Sequence, residues 1–140
     1  MVLLAKEDIT TQEVFGWQGV HLLHFSGSTC SKKIRIFLEL KKIDWTSHPI
    51  NLVKRENNSD WFMGINPRGL VPVLVHDGQV HIESNDILEY LEHLYPDPPL
   101  IPEVQSAELA QLMQLEDELH MDLRNLTMRF TAPSKLMQRS

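Results

Sequence analysis

The stretch Gly27-Ser28-Thr29-Cys30-Ser31-Lys32-Lys33 gathers three hydroxyls and the only thiol of the chain into four consecutive positions, 28 to 31. It lies between the strand-like run His21-Leu22-Leu23-His24-Phe25 and the helical run Ile34-Arg35-Ile36-Phe37-Leu38-Glu39-Leu40. A strand–turn–helix of this kind sets Ser28 to Ser31 at a helix N-terminus, where unpaired N–H groups and the positive end of the dipole meet. That environment favours a thiolate, either that of Cys30 or that of a thiol brought by a ligand. A dithiol cycle of the C-x-x-C type is excluded, because both of its slots, Ser28 and Ser31, are hydroxyls. A hydroxyl can still donate a hydrogen bond to a thiolate from outside. The same residues would equally serve as a plain helix cap, and this segment alone does not separate the two readings.

Two more stretches bear on the same question. Leu70-Val71-Pro72-Val73-Leu74 carries a proline inside a strand pattern, which suits an edge or the wall of a binding groove. A cis Val71–Pro72 bond would turn the Val71 main chain outward to pair with an extended peptide; the alternative is an ordinary edge strand. In Glu83-Ser84-Asn85-Asp86, Ser84 at a helix N-cap offers a hydroxyl and nearby N–H donors to a carboxylate, and Glu83 accepts from an ammonium. The alternative there is a capping-box variant without its acidic partner. Taken together, the three stretches describe a groove for a small peptide with a thiol in its middle and a free amino-acid head.

The elements that must position these residues follow from periodicity. A strand over 20–26, a helix over about 30–42 and a strand from Asp44 to Leu52 come first. A short irregular helix lies between Lys54 and Met63, and Asn66-Pro67-Arg68-Gly69 is a turn. Val71–Val75 and Val80–Ile82 form a hairpin about His76–Gln79, followed by a helix with Ile87, Leu88, Leu91 and Leu94 on its apolar face. The segment from Tyr95 to Pro102 holds four prolines in eight residues and stops that helix. Residues 104–130 then repeat leucine, alanine and methionine at helical spacing. The order predicts an α/β sandwich, one layer of helices on one mixed sheet. Its first two strands are parallel across a helix and its last two form a hairpin. Residues 1–19 read as a polar N-terminal extension, with Phe15 and Trp17 docked on the body.

Totals narrow the class. With 140 residues and 42% apolar content, the chain holds one domain, or one domain and part of another. A net charge of -6 argues against nucleic acid as a partner. One cysteine cannot form an internal disulfide, and no apolar run approaches the ~18 residues of a membrane span. A soluble cytoplasmic protein without a membrane partner is expected.

The segments "GSTCSKKIRIFLELKKIDW", "PINLVKRE", "INPRGLVPVLVHDGQVHIES" and "DILEYLEHLYPDPPLIP" resemble the N-terminal domain of the cytosolic glutathione transferases, the zeta class with maleylacetoacetate isomerase in particular. The resemblance implies a thioredoxin-like α/β domain over 20–101. From 102 it implies the first helix of an all-α C-terminal domain. It implies glutathione as co-substrate, a small electrophile as second substrate, no metal, and a homodimer. Ser28 falls on the activating hydroxyl position beside the sulfur, and Cys30 on the cysteine of the zeta "SxCS" motif, in a supporting role. In omega-like members a cysteine occupies the place of Ser28, and this chain departs from them. Thr29 is counted among the glutathione-binding positions. Val71, before a cis Pro72, bonds the cysteinyl part; Glu83 and Ser84 hold the γ-glutamyl end; Lys54, or a neighbour up to Asn58, meets the glycyl carboxylate. Family members continue for roughly another hundred residues of helical domain. The activity implied is attack of the glutathione thiolate on an electrophile, or glutathione-assisted cis–trans isomerisation. The rivals are a Cys30-centred thiol transferase or redox protein and a non-enzymatic interaction module of the same fold. His21 and His24 are expected to pack within a strand, and His120 and Arg124 to lie on a solvated helix face.

Overall fold

The structure is a computed structural model that describes residues 2–102 and 106–130. The described residues fall into two compact units, divided between Pro99 and Leu100.

In the first unit, five strands make one mixed sheet: β1 (Val2–Leu3), β2 (Val20–His24), β3 (Trp45–Pro49), β4 (Val73–His76) and β5 (Gln79–Ile82), in the order β1-β5-β4-β2-β3. Helix α1 (Thr29–Leu40) joins β2 to the parallel β3, and β4 and β5 form an antiparallel hairpin. Both pairings follow the sequence reading. Asp77 and Gly78, at φ 47° and 80°, turn the hairpin, as the primed two-residue loops require. A Cβ on Gly78 would lie 2.8 Å from the Phe15 carbonyl oxygen, so glycine is needed there for space as well as for conformation.

Strand alternation sorts the core into two faces. Leu23, Val73, Val75, Val80 and Ile82 pack with Ile9, Val14, Ile50, Phe62 and Ile65. Leu22, Leu74 and His81 occupy the alternate positions, and they are buried together with Ile34 and Leu38 of α1 and Ile87 and Leu91 of α3 (Ser84–Leu94). The single helix layer read from sequence is therefore half of the arrangement. The second face is covered by Phe62 of the four-residue helix α2 (Asp60–Met63) and by the N-terminal segment, which also supplies β1 at the sheet edge. Residues 2–19 are thus built into the sheet and core, since Ile9 and Val14 have almost no exposure.

The proline-rich stretch is held by a buried lysine. Lys41, at the C-cap of α1, ion-pairs with Glu92 at 2.6 Å and donates to the carbonyls of Tyr95 (2.5 Å) and Pro98 (2.9 Å).

The second unit contains α4 (Ser106–Phe130). Leu112, Leu115, Leu119 and Leu126 recur along it at helical spacing and are 45–58% exposed. Glu116 and His120 approach to 3.9 Å one turn apart, and Arg124 is exposed. No described helix is long and apolar enough to cross a membrane. The side chain of Met128, residues 104–105 and the tail from 131 fall outside the described residues.

Candidate functional site

The strand-to-helix turn after β2 is locked by two serines. Ser28 is the N-cap of α1, at φ −80° and ψ 122°, and its Oγ accepts from the Ser31 N–H at 3.2 Å. Ser31 is fully buried, and its Oγ accepts from the Phe25 N–H at 3.3 Å. The cap engages a lone pair of Ser28 and not its hydrogen, so the hydroxyl of this half-buried residue keeps a proton to donate. Capping and thiolate stabilisation, the two rival readings of the segment, are therefore compatible in one side chain. Thr29 is exposed and Cys30 half-buried, at the first and second helical positions, and no acid stands in the first turn. A negative charge here would meet the positive end of the helix dipole.

Strand register brings the remaining residues to the same end of the sheet. Leu23 of β2 lies opposite Val73, and Leu74 lies opposite His81. One step beyond that line β2 runs toward Ser28, β4 is entered from Val71-Pro72, and β5 leaves into Glu83-Ser84. The parallel β3 leaves at the same end, where the Ile50 N–H donates to the His24 carbonyl at 2.7 Å, and leads into Lys54. Lys33 Nζ, in the second turn of α1, donates to Asn85 Oδ1 in the first turn of α3 at 2.7 Å and ties the two helix starts together. Two helix N-termini are thereby set side by side.

The Val71–Pro72 bond is cis, and β4 begins only at Val73. β4 is a central strand, flanked by β2 and β5, so the edge-strand alternative does not hold. Among the described residues no partner engages the Val71 N–H or carbonyl. The turn before it is braced by Asn66, 1% exposed, whose Oδ1 accepts from the Arg68 N–H (3.1 Å) and whose Nδ2 donates to the Leu70 carbonyl (2.9 Å). Asn57 Nδ2 adds a bond to the Gly69 carbonyl at 2.9 Å.

Sequence placed Ser84 at the N-cap of the next helix. The cap is Glu83, at φ 68° and ψ 116°, and Ser84 is the first helical residue. A left-handed glutamate is uncommon and carries about 1–3 kcal/mol of backbone strain, which is characteristic of ligand sites. With Glu83 at the cap, the Ser84 hydroxyl remains available to an anion. The Glu83 side chain, about half exposed, ion-pairs with Arg68.

Residues 27–94 match the profile of the family described as glutathione S-transferase, N-terminal domain. This segment is a glutathione S-transferase N-terminal domain. Among relatives of the glutathione S-transferase domain, the zeta-class enzyme of Euphorbia esula is 43% identical over 81 residues, 58% of this chain and 36% of that protein. The maleylacetoacetate isomerase of Pseudomonas aeruginosa is 43% identical over 77 residues, 53% of this chain and 36% of that protein. Among solved structures, beta-etherase LigF from Sphingobium sp. strain SYK-6 superposes with a TM-score of 0.76 at 33% identity, over 81% of this chain and 49% of that one. The chain spans less than half the length of each of these proteins.

Within this glutathione S-transferase domain the structure gathers Ser28, Thr29, Cys30, Val71, Pro72, Glu83 and Ser84 at one sheet end. Lys54, exposed, sits on the loop leaving β3 from that end, its N–H bonded to Asn51 Oδ1 at 3.0 Å. Sequence reasoning missed Arg68 and its support Asn66. Both stand in the "INPRGLVP" signature, but nothing in their spacing names their partners. His21 packs as expected, stacked on Trp17 at 4.7 Å and bonded to His48 at 2.9 Å. His24 bonds Ser47 Oγ at 2.7 Å, and burial, with Arg35 and His48 nearby, lowers its pKa.

Proposed function

We propose that the chain is part of a zeta-like glutathione transferase, and that the sheet end described above binds glutathione. The observation that carries this reading is the convergence of the Ser28 hydroxyl, the unengaged Val71 main chain and the Glu83-Ser84 corner at one edge. In this reading Val71 pairs with the cysteinyl segment, Glu83 receives the γ-glutamyl ammonium and Ser84 its carboxylate. Lys54, or a neighbour up to Asn58, meets the glycyl carboxylate, and Thr29 lines the groove. Ser28 donates its hydrogen to the sulfur and, with the α1 N-terminus, favours the thiolate. The thiolate then attacks a small electrophile, or adds to a conjugated double bond and leaves again after rotation; the Pseudomonas relative is named an isomerase. Cys30 assists and is not the nucleophile. The reading includes a second, all-helical domain beginning near residue 102, a cytoplasmic setting, and a homodimer that covers the exposed leucines of α4.

Ultraviolet titration of the bound glutathione thiol tests the chemistry. One pKa unit corresponds to about 1.4 kcal/mol, within the reach of one charge-assisted hydrogen bond. The bound thiol should ionise at least one pH unit lower on the wild type than on Ser28→Ala, and Ser28→Thr should restore the shift. Cys30→Ala should retain it. Loss of the shift in Cys30→Ala alone, with rapid alkylation of Cys30 near neutral pH, would favour the thiol-transferase reading.

A further inference from the structure

We propose that Arg68 is a recognition residue for the amino-acid head of glutathione, taking its α-carboxylate while the paired Glu83 takes its ammonium; this rests on the glutathione reading above. Arg68 Nη1 contacts Glu83 Oε1, and the two side chains are 53% and 47% exposed. An ion pair so open to water contributes little to folding. Yet both backbones beneath it are tightly set. The Arg68 N–H is held by the buried Asn66, the Gly69 N–H bonds the Asn66 carbonyl at 2.9 Å, and Asn57 clamps the Gly69 carbonyl. Glu83 is held at its unusual φ by the junction of β5 and α3. A surface pair mounted on two rigid corners at the site edge is better accounted for by a ligand than by stability.

The chemistry of the pair supports this. A guanidinium has five N–H donors in a fixed fork, and Glu83 engages one nitrogen of it. Among the described residues, no protein partner takes the other donors or Glu83 Oε2. An α-amino acid carries its ammonium and carboxylate on one carbon. Laid across the pair, the two groups alternate in sign with Glu83 and Arg68, so every charge faces an opposite one. Ser84 supplies only neutral donors, and Arg68 supplies the positive charge that a carboxylate lacks there. A ligand without the α-carboxylate would have no use for Arg68.

The test compares two ligands by titration calorimetry on the 140-residue chain: glutathione, and its analogue with γ-aminobutyryl in place of γ-glutamyl, which keeps the ammonium and lacks the α-carboxylate. Arg68→Gln should bind glutathione about ten-fold more weakly than wild type, the scale of one charge-assisted hydrogen bond, and should bind the analogue as wild type does. Arg68→Lys, which keeps charge without the fork, should fall between. Equal losses for both ligands would make Arg68 a mere support of its loop and overturn the proposal. So would unchanged or tighter glutathione binding, the latter meaning that Arg68 only screens Glu83 until a ligand displaces it. If the wild-type chain binds no glutathione at all, the reading of the site fails and this inference falls with it.

Discussion

His81 makes the stability of this fold depend on pH, and His81→Phe should remove much of that dependence. The imidazole is 2% exposed, its ring lies 3.9 Å from that of Tyr90, and among the described residues neither ring nitrogen has a hydrogen-bond partner. Burial, with a smaller contribution from the nearby His76, lowers its pKa from 6.5 to about 4. Because the folded-state value is depressed, the unfolded chain takes up its proton first as pH falls. The contribution is therefore fully present above about 6.5 and is lost between there and about 4. Linkage over that interval amounts to about 2 kcal/mol by pH 5 and about 3 kcal/mol by pH 4. Phenylalanine preserves the stacking surface against Tyr90 and cannot titrate. It also removes a buried N–H without an acceptor, so the variant should be no less stable than wild type at neutral pH. Urea unfolding followed by circular dichroism at pH 7 and pH 5 measures the difference. With a slope of about 1–3 kcal/mol/M, about 2 kcal/mol moves the midpoint by roughly 1 M. Wild type should lose that much more than the variant between the two pH values. His24 and His48, also lowered chiefly by burial, leave a residual dependence of the same sign in both proteins. Parallel pH profiles for wild type and His81→Phe would refute the reasoning.

Lys41→Met should destabilise the fold by about 3–5 kcal/mol, because it removes the buried ammonium that pairs with Glu92 and bonds the Tyr95 and Pro98 carbonyls; a change in unfolding free energy below about 1 kcal/mol would show the clasp to be incidental. Gly78→Ala should lower the thermal midpoint, since it places a methyl group against the Phe15 main chain at a left-handed position, and an unchanged midpoint would contradict that packing. In conjugation assays Ser28→Ala should lose more kcat/KM than Cys30→Ala, and the reverse ranking would make Cys30 the principal group.

Local chemistry was the most legible part of the sequence. The turn residues of Asn66-Pro67-Arg68-Gly69, the Asp77-Gly78 hairpin and the Ser28 cap act within a few residues of themselves, so they can be read in place. The central sheet was legible because its strands are apolar and bounded by turns. β1 was not: two residues have no period, and only pairing with β5 makes them a strand. The second helical face escaped for a similar reason, since Phe62 belongs to a helix of four residues, too short for an amphipathic pattern. By position alone Lys41 is a charge suited to the C-terminal end of a helix dipole. Its burial under the Tyr95 and Pro98 carbonyls depends on where the chain returns more than fifty residues later. The one-residue error at Ser84 has its own cause. Propensity assigns serine the cap, whereas the exit of β5 forces Glu83 into a left-handed backbone that no propensity favours. The same exit sets Glu83 beside Arg68, fifteen residues earlier in the chain, a pairing that the closed hairpin creates.

The central claim is that the edge formed by Ser28, Val71, Glu83 and Ser84 is a glutathione site. Titration calorimetry of glutathione into the 140-residue chain and into Ser84→Ala tests it most directly. Ser84 lies at the first turn of α3 and bears little on the core, so the variant should fold like wild type. The account predicts saturable binding to wild type and a loss of about 1–3 kcal/mol in the variant, roughly five- to 150-fold in affinity. The absence of saturable binding to the folded wild-type chain, or equal affinity for the two proteins, would contradict it.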